Sequence, residues 1–223
     1  MVRLENIAKR YGTGAEILHD ISLALEPGGF YFLTGSSGAG KTTLLRIIHL
    51  AERPSQGVVT LFGTDTSSLD RAGRAALRRR IGVVFQDFRL LDDLGVGDNI
   101  SLPLRIAGIP EPEISERLAA LLSWFGLENH VDARPTALSA NDKQRVAMAR
   151  AVVSRPDLLI ADEPAGHVDD EIALLLIRVF ERLSELGTTV LIATRDSGFI
   201  SQFEHPRFHL DQGVLQSIET AAQ

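Results

Sequence analysis

Apolar and polar residues alternate early in the chain in short runs, Val2 to Ile7, Ile17 to Leu25 and Phe30 to Thr34, divided by Gly12-Thr13-Gly14 and Pro27-Gly28-Gly29. Alternation of period two bounded by Gly and Pro predicts strands joined by turns. The period then lengthens: Leu44, Leu45, Ile47, Ile48 and Leu50 predict a helix from Lys41 to Ala51, buried on more than one side. Strands are predicted again at Gly57 to Phe62 and Arg80 to Phe85. Between Pro110 and Phe125, Ile114, Leu118, Leu121, Leu122 and Phe125 recur at helical spacing. That spacing assigns Trp124 and Phe125 to core or subdomain packing rather than to a ligand platform.

Asp157 to Ala161 is a nearly continuous apolar strand, Val168 to Leu186 a helix, and Thr188 to Ala193 a second buried strand. Helix and strand alternating in this way predict a parallel α/β sheet. The tail, Arg207 to Leu210 and Val214 to Ile218 about Gln212-Gly213, predicts a hairpin. No internal repeat or low-complexity segment interrupts the chain. The expected architecture is one domain, 1–223, with an α/β core of residues 1 to about 86 and about 156 to 223. A mainly helical insertion, about 87–155, divides it.

At 223 residues, with 44% hydrophobic and 23% charged side chains, the chain can bury a substantial core. A formal charge of -6 argues against a nucleic-acid backbone as partner, because such binding draws on clustered Lys and Arg. The basic cluster Arg71, Arg74, Arg78, Arg79 and Arg80 falls in an expected helix, Leu69 to Arg80, and reads as a solvated face. Cysteine is absent, which removes thiolate metal sites and disulfides and is compatible with the cytoplasm. No run approaches the roughly 18 apolar residues of a membrane span, so membrane association is expected only through a partner, without direct insertion.

The chemistry concentrates at Gly35-Ser36-Ser37-Gly38-Ala39-Gly40-Lys41-Thr42, between an expected strand and an expected helix. Glycines let backbone N–H groups curl around phosphate oxygens at the positive end of the helix. Lys41 would neutralise the β and γ phosphates and Thr42 would ligand Mg²⁺, with Thr43 beside it. A chain of this length meets the pattern by accident on the order of once in a hundred. Leu158-Leu159-Ile160-Ala161-Asp162-Glu163 supplies a carboxylate for the metal, Asp162, and a base or water-orienting group, Glu163, at a strand end.

With both motifs in place, the chain resembles the ATP-binding subunits of ABC-type systems over essentially its whole length. Tyr11 resembles the aromatic that stacks on adenine, and Gln86 the loop glutamine that senses Mg²⁺ and the γ phosphate. Leu138-Ser139-Ala140-Asn141-Asp142 occupies the place of the family signature, and Ala165-Gly166-His167-Val168-Asp169 that of the D-loop. The resemblance implies a P-loop NTPase core with an N-terminal antiparallel β subdomain and an inserted helical subdomain. It also implies ATP and Mg²⁺ as ligands and a homodimer formed around ATP. The implied partner is an integral membrane subunit, with the groove for its coupling helix near Phe88, Leu90 and Leu91. Short length and Val84 to Leu91 look most like the cell-division branch, whose membrane subunit is FtsX-like and holds the protein at the inner face of the membrane.

Three departures matter. Ala140 and Asn141 replace the signature glycines, leaving Ser139 as a γ-phosphate donor and Asp142 beside the start of the following helix. Arg195 stands where the family has the switch histidine; arginine only donates and is permanently charged. Either it holds the γ phosphate without supporting fast turnover, or it stabilises developing charge as an arginine finger. His167 in the D-loop is expected at an interface. Slow ATP hydrolysis is the first expectation. A nucleotide-responsive binding subunit, or an ATPase serving lipoprotein release or small-molecule export, are the alternatives.

Overall fold

The computed structural model describes residues 1–166 and 168–219. The expected strand-rich opening forms β1 (Val2–Arg10), β2 (Glu16–Leu25) and β3 (Phe30–Thr34), followed by α1 (Lys41–Ile48), β4 (Gln56–Leu61) and β5 (Thr64–Asp65). Next come α2 (Arg71–Arg78) and β6 (Ile81–Val84). The helical insertion holds α3 (Val96–Ile106), α4 (Glu111–Phe125), two short 3-10 turns and α5 (Ala140–Val152). The chain closes with β7 (Leu158–Asp162), α6 (Asp170–Glu185), β8 (Thr189–Thr194), α7 (Ser197–Ile200), β9 (Arg207–Asp211) and β10 (Val214–Glu219).

Two sheets organise these elements. One is antiparallel, in the order β2-β1-β4-β5; the other runs β10-β9-β3-β8-β7-β6, parallel except for the β9–β10 hairpin. The central strands are apolar throughout because both faces are covered. Leu159, Ala161, Val190 and Ile192 pack toward the inserted helices and α6. Leu158, Ile160, Leu191 and Ala193 pack toward α1 and the antiparallel sheet. The carboxyl ends of β3, β6, β7 and β8 therefore open on one edge of the sheet, where an open α/β sheet places its ligand.

Two expectations change, and α3 is a helix that no single pattern predicts. Helix α3 escapes a periodicity reading because Pro103 lies inside it and Asn99 and Ser101 are buried polar residues. Asn99 is satisfied by the preceding loop: its Oδ1 accepts the Leu91 N–H at 2.8 Å and its Nδ2 donates to Leu91 O at 3.0 Å. Trp124 is 48% exposed although its neighbour Phe125 is buried, so it does not pack in the core. The basic helix is capped by Asp70, which accepts the Gly73 N–H at 2.7 Å, and Arg71, Arg78 and Arg79 are exposed. Arg74 instead turns inward to Leu50 O, 2.7 Å away, and Arg80 pairs with Asp157 at 2.7 Å.

Candidate active site

The turn from β3 into α1 depends on two glycines. Gly35, at φ 147°, passes so close to β9 that a Cβ would lie 2.1 Å from Leu210 O. Gly40 caps α1 at φ 105°, a left-handed conformation open chiefly to glycine, with a Cβ position 2.7 Å from Leu18 Cδ2. Ala39 is buried beneath the loop, while Ser36, Ser37 and Gly38 form its exposed rim. Lys41 Nζ donates to Gly35 O at 2.7 Å and Ser36 O at 3.1 Å and lies 3.6 Å from Glu163 Oε1. The ammonium is thus held at the loop mouth by carbonyls and an opposing charge.

A cleft of about 320 Å³ opens there, and Ser37, Gly38, Gly40, Lys41, Thr42, Thr43, Gln86, Glu163 and Arg195 all line it. Ile17, from β2, adds an apolar wall that a motif search does not reveal. Glu163 follows β7 at φ 47°, and its N–H donates to Ala193 O of β8 at 2.8 Å. Its Oε2 accepts the Arg195 N–H at 3.1 Å, so the backbone of Arg195, a residue lining the cleft, holds Glu163.

Thr42 and Gln86 also border a second cavity, of about 200 Å³, containing Asp162, Arg46 and His49. Thr42 Oγ1 donates to Asp162 Oδ2 at 2.8 Å, while Asp162 Oδ1 is buried without a partner. Among the described residues no group of three or more His, Cys, Asp or Glu forms a metal cage. Mg²⁺ does not need one, since it is commonly held by one or two carboxylates together with substrate phosphates and water. An orphaned carboxylate oxygen beside a hydroxyl fits that demand. Burial raises the Asp162 carboxyl above its ordinary 3.8 despite the Thr42 bond; Glu163 raises it further, and Lys41 and Arg46 oppose.

His49, buried at the end of α1, also lines this cavity. Burial lowers it below its ordinary 6.5, against the Leu45 carbonyl that its Nδ1 meets at 2.9 Å, and Arg78, Arg89 and Arg46 add to the lowering. The unfolded chain therefore binds a proton more readily than the fold between the lowered value and 6.5. Stability is complete above that window and is lost as pH falls through it. Replacing His49 by Gln is expected to flatten the decline of Tm below about pH 6.5, checked by thermal melts across pH.

Two expected ligand contacts stand apart from the cleft. Tyr11, just past β1, is 38% exposed, with Lys9 Nζ 4.6 Å from its ring centre. Lys9 is itself held by Glu52 at 3.0 Å and Arg53 O at 2.8 Å. Ser139 caps α5: its Oγ accepts the Asp142 N–H at 3.1 Å and donates to Asp142 Oδ2 at 2.6 Å. Asn141 Nδ2 donates to Asp169 Oδ2 at 2.7 Å. Both polar side chains of the altered signature are thus engaged by acids of the same chain. His167 lies outside the described residues.

A groove of about 590 Å³ runs between α2 and α3, with Phe85, Leu102, Pro103 and Ile106 as apolar walls and His49 at its floor. Phe88, Leu90 and Leu91, expected at such a groove, are not among its walls; Leu90 packs against the core and Leu91 is 46% exposed. Among the described residues no helix is long and apolar enough to cross a membrane.

The family model described as ABC transporter matches residues 18–166, which include the phosphate loop, the glutamine loop and the β7 acids. The chain belongs to the ABC transporter family. It is an ABC ATP-binding subunit, 42% identical to the cell division ATP-binding protein FtsE of Escherichia coli (strain K12), over 96% of this chain and 97% of that one. It is 37% identical to the methionine import ATP-binding protein MetN of Xylella fastidiosa, over 98% of this chain but 66% of MetN. Its fold matches the ATP-binding cassette MJ0796 with TM-score 0.93 and 31% identity over 100% of both chains. That cassette was solved as a dimer in a post-hydrolysis state with ADP and Pi.

Proposed function

We propose that this ABC subunit binds ATP with Mg²⁺ at the phosphate loop, pairs head to tail with a second copy, and drives an FtsX-like integral membrane partner in cell division. The observation carrying the proposal is the convergence of Lys41, Thr42, Gln86, Glu163 and Arg195 on one cleft. Lys41 holds the β and γ phosphates, and Tyr11 stacks on the base. Thr42, Gln86 and Asp162 hold Mg²⁺, which supplies charge neutralisation at the transferring phosphate. Glu163 accepts the proton of the attacking water, and Arg195 faces the γ phosphate in place of histidine. Lys41 Nζ, 3.6 Å from Glu163 Oε1, orients that carboxylate at the loop mouth.

Residues 1–86 and 156–223 act as the core and 87–155 as the helical subdomain that carries Ser139 to the nucleotide of the other copy. The groove between α2 and α3 receives the membrane partner, which keeps the chain at the inner membrane face without insertion. The higher identity to FtsE, 42% against 37% to MetN, favours cell division over methionine import. Purification of the tagged chain from membranes, with its companion identified by mass spectrometry, tests this. Recovery of an FtsX-like subunit is expected, and a substrate-transport permease in its place contradicts the assignment.

A second reading has its own observation. Ser139 and Asn141 are both bonded to acids of their own chain, which favours a binding subunit with little hydrolysis. Turnover separates the two readings, as argued below.

A further inference from the structure

The loop carrying Gln86 leaves β6 and immediately adopts a conformation its sequence does not favour. Phe88 and Arg89 both have positive φ, 57° and 48°, although neither is glycine. Left-handed geometry crowds a Cβ, and two such residues in succession persist only where surrounding contacts hold them. Inside the loop, Phe88 N–H donates to Phe85 O at 3.1 Å and Arg89 N–H to Asp87 O at 2.6 Å. The Arg89 guanidinium lies 4.2 Å from the Phe85 ring centre and 3.1 Å from Asp87 Oδ1.

Arg150, near the end of α5, holds the pair from outside the loop. Its Nη1 donates to Arg89 O and its Nη2 to Phe88 O, each at 2.6 Å. A planar guanidinium presents these donors as a fixed fork, matched to two carbonyls turned to one side by successive left-handed residues. Burial lowers its pKa, as expected for a cation turned from solvent toward backbone oxygens. No carboxylate pairs with it in the ion pairs among the described residues; the loop carbonyls are its partners.

From these contacts we infer that Arg150 is a positioning residue for Gln86: it fixes the left-handed pair and so sets where the glutamine enters the space shared by the cleft and the Asp162 cavity. The inference rests on the nucleotide reading above, and it assigns Arg150 no contact with nucleotide. Arg150 also borders the groove between α2 and α3, as does Phe85 at the root of the loop. The same fork therefore ties the groove wall to the loop that reaches Asp162. A lysine replaces it only in part, because one ammonium does not reproduce two parallel donors in a fixed plane.

The test measures binding of a fluorescent ATP analogue, with and without Mg²⁺, to the full chain and its Arg150→Met, Arg150→Lys, Gln86→Ala and Arg150→Met/Gln86→Ala variants. Far-ultraviolet circular dichroism and Tm establish that each is folded. In the parent, Mg²⁺ is expected to tighten binding. Arg150→Met and Gln86→Ala should each reduce that gain at least threefold, Arg150→Lys should fall between, and the double variant should lose no more than Gln86→Ala alone. Metal-free binding should stay within twofold in Arg150→Met and Arg150→Lys, because the phosphate loop is untouched. Additive losses in the double variant, or an unchanged gain in folded Arg150→Met, overturn the inference. If Arg150→Met does not fold, Arg150→Lys decides by the same comparison. Absence of any Mg²⁺ gain in the parent overturns the metal reading, and the role of Arg150 falls with it; absence of binding altogether overturns the nucleotide reading.

Discussion

Replacing Glu163 by Gln is expected to lower ATP turnover by about 10²–10³, within the range general-base catalysis contributes, while ATP still binds. Glu163 is held at three points: its N–H bonds Ala193 O at 2.8 Å, its Oε2 accepts the Arg195 N–H at 3.1 Å, and its Oε1 faces Lys41 at 3.6 Å. Glutamine keeps the volume and can still accept from Arg195, but its neutral amide cannot take a proton from water. Removing the carboxylate also frees Lys41 from a competing negative charge, so affinity for ATP should hold or improve. Phosphate release and calorimetric ATP titration check the two halves separately. Turnover within twofold of the parent, with ATP and dimer lifetimes also unaltered, would instead favour the binding-subunit reading.

Restoring a glycine-rich, uncharged signature should strengthen ATP-driven self-association at least tenfold, equivalent to about 1.4 kcal/mol. A hydroxyl has one proton, and that of Ser139 is donated to Asp142 Oδ2 at 2.6 Å. Toward a phosphate it presents lone pairs beside a carboxylate, which Arg145 at 3.7 Å only partly offsets. The Asp142 charge also occupies the favourable electrostatic position at the start of α5. Ala140→Gly, Asn141→Gly and Asp142→Gln together remove the added Cβ, the Asp169 contact and the carboxylate. They should also lower fold stability, because glycine in a helix and loss of the acid each cost roughly 0.5–1 kcal/mol. Stability and association are thus expected to move in opposite directions, read by thermal melts and sedimentation velocity with ATP in a Glu163→Gln background. A lower Tm with unchanged association would count against this account of the signature.

The chemistry was legible where it is local. Gly35 to Thr42 follow one another along the chain, and Asp162 and Glu163 end an apolar strand, so spacing and pattern were enough to single them out. The fold that joins them was legible through the resemblance and through the apolar runs of β7 and β8, which need cover on both faces. What escaped depends on contacts between distant segments. Nothing local tells that Asn141 meets Asp169. Arg150 and the carbonyls it holds are likewise far apart in sequence. Helical period assigned Trp124 to packing because it adjoins buried Phe125, but a helix edge turns from buried to exposed within one residue. The apolar residues Leu102 and Ile106, which wall the groove between α2 and α3, were not singled out because Pro103 interrupts the helical reading there.

The central claim is that the cleft bounded by Lys41, Glu163 and Arg195 hydrolyses ATP in the service of a membrane partner. Its most direct measurement is phosphate release by the chain purified together with its membrane subunit, in Mg²⁺ and ATP, beside a Lys41→Ala control. Release above the control, abolished by chelating the metal, is predicted. Release no greater than that of Lys41→Ala would contradict it.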